Sequence, residues 1–330
     1  LALGEELNSS IEDILLAYMA GVEVSTRIGH ILGYPHYNAG FHQTATSGSF
    51  GSTIVASKLL GLSEDQTINA LGLVSTRASG IKSQFGTMGK PFHAGMAASN
   101  GIEAAKLSKL GFISRDDGIE CEQGFFQTHG WNKEIPPRAI EGLGVEFLFP
   151  EIKYKFHACC HGLHSFLEAL DELKQVNNFN PETIEKIEIE TNPSWLKVCN
   201  IEKPKTGLES KFSYKLTAAM SIFGKDTSSL DTYDDTICFN DQMNEIRDKV
   251  KVIPNENLTN TQSVISIKDG SSETNNKHDL SDNIEKNILE TKIVSKSASL
   301  LSKAKSEQIE KILNEPKVNQ VSTLVGCMVS

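Results

Sequence analysis

Two glycine-rich segments in the first third of the chain carry side chains that can move protons and stabilise negative charge. Residues 40–51 contain His42, and residues 86–95 contain Lys90 and His93. An imidazole changes its protonation state near neutral pH, and a lysine ammonium stabilises a carboxylate or an enolate. Glycine allows the backbone to approach a bound ligand closely. The combination predicts a pocket for a small anionic molecule that contains a proton-transfer group.

The acidic residues are distributed unevenly, and both segments lie where acids are scarce. The chain has 32 Lys and Arg against 42 Asp and Glu, a formal net charge of -10, yet Glu64 and Asp65 are the only acids in residues 24–102. A locally cationic region in an acidic protein favours a small anion as its ligand. The negative balance, without a basic stripe, argues against nucleic acid as a partner.

His42 is followed by Thr44 and Thr46 in residues 34–46, which we predict to be a loop that leads into a helix over residues 48–60. Unpaired N–H groups at the start of a helix bind carboxylates. We therefore predict that His42 is catalytic and that both threonines bind substrate. The alternative is a histidine that only hydrogen-bonds the loop backbone.

Lys90 and His93 flank Pro91 at the start of a helix predicted to run to residue 110. A lysine in the first turn of a helix is electrostatically disfavoured unless it meets an anion or points to solvent. Residues three positions apart lie on one helix face. We predict that Lys90 is a catalytic cation with His93 as a substrate-binding neighbour; the alternative for Lys90 is a solvent-facing pose.

A third segment combines cations, imidazoles and thiols, and residues 153–166 contain no acid. Its side chains are Lys155, His157, Cys159, Cys160, His161 and His164. Such a set is also compatible with zinc. Gly162 and a predicted strand-to-helix transition interrupt the face that would carry the ligands, and no carboxylate is near in sequence to orient them. We therefore predict no metal and no cofactor, with Lys155 catalytic and His161 and His164 binding substrate.

Hydrophobic periodicity predicts the elements that must position these residues. Helices are predicted over residues 11–32, 48–60, 64–75, 91–110, 164–176, 210–223, 284–293 and 307–313, and strands over 151–156, 184–189 and 264–267. The polar stretch 269–283 is predicted to be a surface turn or linker. Glycine and alanine between residues 94 and 105 predict very close helix packing. The predicted fold is mostly α, with a helical domain (1–148), an inserted α+β module (149–283) and a helical return (284–330).

Several segments, in order along the chain, resemble the motifs of the MmgE/PrpD family, which includes 2-methylcitrate dehydratase, cis-aconitate decarboxylase and iminodisuccinate epimerase. Residues 40–46 resemble its aromatic-His-x-Thr-Ala-Thr loop, and residues 86–95 resemble its Gly-Thr-Met-x-Lys-x-x-His-Ala-Gly signature. Further similar segments are 112–115, 120–125 and 155–164. The resemblance extends over residues 1–223 and weakens beyond them.

The resemblance implies an all-helical main domain, a smaller α+β lid, an active site in the cleft between them, a homodimer and no required metal. It implies that His42 and Lys90 act in the pocket and that Lys155 is a cation carried by the lid. It also implies that the family's N-terminal helical segment, with an Asp and a His of the active site, precedes Leu1.

The leading hypothesis is a lyase that acts on a small di- or tricarboxylate, with dehydration as the expected reaction. The alternatives are an epimerase, isomerase or decarboxylase of the same substrate class, or a truncated, non-catalytic paralogue that binds a carboxylate or a partner. Six cysteines without disulfide spacing predict a reducing compartment, the cytoplasm or a mitochondrion in a eukaryote. The chain contains no apolar run of roughly eighteen residues, so no membrane span is predicted.

Overall fold

A computed structural model describes residues 1–130 and 134–329. The chain forms two compact units. Unit 1 comprises residues 1–152 and 307–330, and unit 2 comprises residues 153–306. The described residues are mostly helical, with one small sheet, and this confirms the predicted fold class.

Helices alternate with short turns through most of the chain, and the strands are confined to its second half. The α-helices are α1 (Ala2–Glu6), α2 (Ile11–Asn38), α3 (Gln43–Leu60), α4 (Glu64–Ser75), α5 (Gly89–Lys109), α6 (Phe125–His129), α7 (His164–Val176), α8 (Pro193–Leu196), α9 (Gly207–Ser210), α10 (Tyr214–Ile222), α11 (Asp241–Asp248), α12 (Lys286–Leu301), α13 (Lys303–Asn314) and α14 (Val321–Val329). The strands are β1 (Ile184–Thr191), β2 (Val250–Pro254), β3 (Gln262–Asp269) and β4 (Ser272–Asp279). Short 3-10 turns lie at Lys82–Gln84, Pro137–Ala139, Phe149–Glu151, His161–Leu163 and Asp235–Phe239.

Glycines allow α3 to lie unusually close to α2 and α5 in unit 1. A Cβ on Gly101 of α5 would lie 2.1 Å from Ser52 Oγ and 2.4 Å from the backbone nitrogen of Thr53. A Cβ on Gly51 of α3 would lie 2.6 Å from the carbonyl oxygen of Gly21 in α2. The close packing predicted from the small residues of α5 is therefore confirmed.

We expect Gly101→Ala to lower the free energy of unfolding by about 1–3 kcal/mol, because the added methyl group meets backbone atoms that cannot move aside. Gly95, on an exposed position of the same helix, is the matched control because a Cβ there meets nothing within 4 Å. Gly95→Ala should stabilise the protein by about 0.5–1 kcal/mol through helix propensity. Urea unfolding followed by circular dichroism measures both, and equal effects would contradict the packing argument.

The connection between α2 and α3 is shorter than the predicted loop over residues 34–46, and that prediction is wrong. Gly33 has a φ of 58° and kinks the chain, after which helix resumes as far as Asn38. Pro35 is tolerated because it lies in the first turn of the resumed helix, where no N–H donor is needed. The next helix begins at Gln43 with His42 as its N-cap residue.

Unit 2 contains a four-stranded mixed sheet in the order β2-β1-β3-β4. Strand β1 is parallel to β2 and antiparallel to β3, and β4 is antiparallel to β3. Ile187 and Ile189 of β1 stand opposite Ile267 and Ile265 of β3, and all four side chains are fully buried. Helix α7 packs on β3 and β4.

Two local predictions in unit 2 are wrong. Residues 151–156 form no strand, since a 3-10 turn ends at Glu151 and irregular backbone follows. Residues 269–283, predicted to be a turn or linker, contain β4. This edge strand is polar because it contacts α7 through hydrogen bonds: Asn276 Nδ2 donates to Glu172 Oε2 (2.6 Å), and His278 Nδ1 lies 2.8 Å from Glu172 Oε1. It therefore lacks the alternating apolar pattern that reveals a strand.

The C-terminal helices divide between the units. Helix α12 belongs to unit 2, whereas the sequence predicts that all of residues 284–330 return to the helical domain. From residue 307 the chain packs in unit 1, where Ile312, Val321 and Leu324 bury Ile11 at the start of α2. Within the residues that the structure describes, no helix is long and apolar enough to cross a membrane.

Candidate functional site

Two histidines far apart in sequence form an imidazole pair in unit 1. His42 Nδ1 lies 2.8 Å from His93 Nδ1, a hydrogen bond in which one ring donates and the other accepts. His93 is 5 % exposed, whereas His42 is half-buried. The pair can therefore hold one proton between its two Nδ1 atoms, with His42 as the more accessible ring.

The backbone that carries His42 is held against the loop that precedes α5. The His42 N–H donates to the Gly80 carbonyl oxygen (2.9 Å), and the Lys82 N–H donates to the Gly40 carbonyl oxygen (2.7 Å). Gly80 has a φ of +139°, and a Cβ there would lie 2.5 Å from Ala45 Cβ and 3.4 Å from the His93 ring. A side chain at position 80 would thus clash with Ala45 in the first turn of α3 and be strained by the positive φ.

Lys90 lies on the same side of this region as the imidazole pair. Its ammonium is 5.3 Å from the centre of the Phe85 ring, and the His42 ring contacts the same phenyl group edge-on at 4.9 Å. Lys90 is in the first turn of α5, three residues before His93. The first turns of α3 and α5 contain no acid, so both positive helix ends add to the charge of Lys90.

The two threonines lie in α3 rather than in a loop, and their environments differ. Thr44 is exposed and lines an open depression of about 590 Å³ with Gln43, Ser47 and His30. Thr46 is completely buried, and its hydroxyl lies 3.0 Å from His36 Nε2. Of the two predicted substrate-binding threonines, the structure places Thr44 at the surface and Thr46 in the interior.

His36, which was not among the predicted site residues, stands behind the loop of His42. It is fully buried, its Nδ1 lies 2.7 Å from the His129 carbonyl oxygen, and its ring stacks on Phe41 at 4.4 Å. Burial lowers the pKa of His36, and the nearby His129 lowers it further, although the hydrogen bond to the His129 backbone acts in the opposite direction. A neutral His36 therefore supports Phe41 and, through it, the backbone of His42.

In unit 2, the segment with Lys155 is irregular backbone that is held from both sides. The Ala158 N–H donates to the Thr227 carbonyl oxygen (2.8 Å), and the Cys160 N–H donates to the Lys211 carbonyl oxygen (2.9 Å). Lys155 itself is exposed. The chain then enters a 3-10 turn at His161 and α7 at His164.

The three imidazoles of this segment lie close together around the start of α7. The centre of the His164 ring is 5.2 Å from that of His157 and 5.6 Å from that of His161. His164 is 1 % exposed, and burial holds its pKa well below the ordinary value, an effect reinforced by the two other imidazoles and by Lys155. Burial and Lys155 also lower the pKa of His161. His161 and His164, two of the three predicted substrate-binding histidines, are therefore neutral near pH 7.

A buried carboxylate outside the predicted set completes this cluster. Glu168 of α7 pairs closely with Lys292 of α12, and its Oε1 lies 3.3 Å from His157 Nε2. Burial by itself would raise the pKa of Glu168, but the nearby His157 and Lys292 bring it to about 2. His157 is held on its other side by Thr227, at 2.7 Å from Nδ1. Glu168 is four residues beyond His164, so the premise that no carboxylate lies near these histidines in sequence is wrong, and this helical spacing was the signal that could have found it.

The side chains that could ligate a metal are arranged differently from a metal centre. In residues 1–130 and 134–329, no three or more His, Cys, Asp or Glu side chains are grouped so that they could hold a metal ion. The imidazoles contact one another, Thr227 and Glu168 instead.

Two family models match almost the whole chain. The MmgE/PrpD N-terminal domain matches residues 1–137, and the MmgE/PrpD C-terminal domain matches residues 157–315. The boundary between the two matches falls in the stretch where unit 1 gives way to unit 2.

Several curated relatives are named after the decarboxylation of cis-aconitate. The chain is 28% identical over 243 residues to cis-aconitate decarboxylase of Aspergillus terreus, which is 68% of this chain and 50% of that protein. It is 32% identical over 171 residues to a cis-aconitate decarboxylase-like protein of Aspergillus oryzae, which is 49% of this chain and 36% of that protein. It is 37% identical over 114 residues to human cis-aconitate decarboxylase, which is 34% of this chain and 24% of that protein. The matched part thus spans at most half the length of these relatives. From the two family models and the ordered motifs, the chain belongs to the MmgE/PrpD family.

Proposed function

We propose that this chain is part of a lyase that acts on a small tricarboxylate, and that the reaction is decarboxylation of an acid of the cis-aconitate type. The observation that carries the proposal is the hydrogen bond of 2.8 Å between His42 and His93, with Lys90 nearby. The first turns of α3, which follows His42, and of α5, which carries Lys90 and His93, contain no acid. This arrangement combines a proton donor with fixed positive charge, which is what an enolate-like intermediate needs.

The proposed steps assign one role to each group. The C–C bond to the departing carboxylate breaks, and carbon dioxide leaves. The bonding electrons shift through the neighbouring double bond to a carbon beside another carboxylate, where Lys90 stabilises the charge. Protonated His42 then delivers its proton to that carbon, and the proton is replaced from water with His93 holding the ring of His42 in place.

Unit 2 carries a second set of groups, and we propose that these bind a carboxylate. Lys155 is a second cation for a substrate carboxylate, and His161 and His164, held neutral by burial, donate hydrogen bonds. Thr227 holds His157 through its Nδ1, the Glu168 carboxylate lies 3.3 Å from its Nε2, and His164 packs against its ring. Neutral imidazoles suit a hydrogen-bonding role because they add no further positive charge to a site with several lysines.

Decarboxylation is preferred to the dehydration expected from the sequence because the named relatives are decarboxylases. Dehydration and epimerisation need the same cations and imidazoles, so the reaction itself must be tested.

The test is to incubate the full-length protein with cis-aconitate in deuterated water and to follow the products by NMR and mass spectrometry. We expect a dicarboxylate with one deuterium on carbon and release of one equivalent of carbon dioxide. Gain of water without loss of carbon would support a hydro-lyase and refute the decarboxylase. If the protein converts none of cis-aconitate, citrate and 2-methylcitrate, the proposed substrate class is refuted.

A further inference from the structure

Two lysines outside the recognised motifs lie beside the segment that carries Lys155. The first is Lys211, whose backbone carbonyl accepts from the Cys160 N–H and whose ammonium is 5.4 Å from the centre of the Tyr233 ring. The second is Lys296 of α12, which donates to the Ser228 carbonyl oxygen. Both side chains are half-buried.

The backbone connections bring these two lysines to the same place. The Cys160 N–H is bonded to Lys211, and the Ala158 N–H is bonded to Thr227, the residue before Ser228. Tyr233 lies against the same segment, and its hydroxyl donates to the Thr227 carbonyl oxygen at 3.1 Å. Cys159, between Ala158 and Cys160, is therefore flanked by the backbone of Lys211 on one side and by that of Thr227, next to Ser228, on the other.

Few negatively charged groups of the protein lie near the ammonium groups of Lys211 and Lys296. Burial raises the pKa of the Cys159 thiol to about 12 and raises that of the Tyr233 hydroxyl, so both groups are neutral at pH 7. Asp226 is an acid near Lys296, and its charge favours that ammonium group, but it is exposed and its Oδ1 accepts from the N–H and the hydroxyl of Ser228 instead of forming an ion pair with either lysine among the described residues.

The neighbouring lysine of α12 provides a contrast. Lys292, one helical turn before Lys296, is paired with the buried Glu168. Lys211 contacts an aromatic ring and Lys296 a carbonyl oxygen, neither of which carries a formal charge. Burial lowers the pKa of both lysines, which is the cost of holding ammonium groups where no carboxylate of the described residues pairs with them. Lys155, Lys211 and Lys296 each interact electrostatically with the Cys159 side chain, and Lys211 also interacts with Lys296, so the three ammonium groups lie near one another. Such a group of cations favours an anion as its ligand.

We propose that Lys211 and Lys296, with Lys155, form a subsite that binds one carboxylate group of the tricarboxylate substrate. This inference rests on the proposed substrate class and extends it, because it assigns recognition of a substrate carboxylate to residues that no catalytic motif contains. The ligand class that fits this group of lysines is a small polycarboxylate.

The experiment is calorimetric titration of the full-length protein with tricarballylate, a saturated tricarboxylate that cannot react. We expect Lys211→Met and Lys296→Met each to weaken binding by about tenfold or more, as for loss of a charge-assisted hydrogen bond. Lys211→Arg should retain most of the affinity because it keeps the charge over the Tyr233 ring, and it guards against a misfolded Lys211→Met.

Lys186→Met is the matched control, since it removes one positive charge from the same unit at a lysine paired with Glu188 at 2.7 Å. Equal weakening by Lys186→Met would reduce the effect to long-range charge and overturn the subsite, as would unchanged binding by both methionine variants. Absence of tricarballylate binding by the unaltered protein would also overturn it. Binding that depends on the two lysines without release of carbon dioxide from cis-aconitate would retain the subsite and reject only the proposed reaction.

Discussion

Lys90→Ala is expected to lower kcat/KM for the proposed decarboxylation by about a thousandfold, the cost typical of removing one preorganised group that stabilises an oxyanion or enolate. Lys90 occupies the first turn of α5, where the helix dipole opposes a cation. Its ammonium lies over Phe85, which also contacts the His42 ring. Because the charge develops in the transition state, the loss should fall mainly on kcat.

The matched control is Lys109→Ala at the other end of α5, where the ammonium bonds the Leu60 carbonyl oxygen at the surface. Steady-state kinetics of the full-length protein should show unchanged parameters for this variant. A loss confined to KM for Lys90→Ala would mean that Lys90 only binds the ground state. Full activity of Lys90→Ala would remove Lys90 from the site.

His42→Gln should lower kcat by about 10²- to 10⁴-fold, the usual contribution of a general acid or base. Glutamine retains hydrogen-bonding capacity toward His93 but cannot transfer a proton, so the packing of the two loops is preserved while the chemistry is lost. Single-turnover measurement of carbon dioxide release reports the chemical step directly.

Substitution of His93, the buried member of the pair, distinguishes the role of each histidine. His93→Gln should have a smaller effect than His42→Gln, since His93 orients the ring of His42 and is itself 5 % exposed. His278→Gln, at a histidine paired with Glu172 on the sheet edge, is a control that should leave the rate unchanged. If His93→Gln abolished the reaction and His42→Gln did not, the assignment of the two imidazoles would be reversed.

Local periodicity was sufficient for the elements with a clear apolar face. Helices α4 and α7 begin and end at the predicted residues, and β1 and β3 contain the predicted strands. In each of these, apolar side chains repeat at the helical or strand period because one face is buried. The pattern failed at β4 and at the end of α2, where Asn276 bonds α7 and Gly33 and Pro35 redirect a helix without ending it.

The sequence by itself determined the family, the mostly α class and the residue types with which this protein can act, because motifs and periodicity are local properties of the chain. Tertiary structure decided which of those residues meet. It joined His42 to His93 across two loops, buried Thr46, and supplied Glu168 and Lys292 behind the histidines. Contacts between residues far apart in sequence depend on how whole helices pack, and no pattern within a single segment encodes that packing.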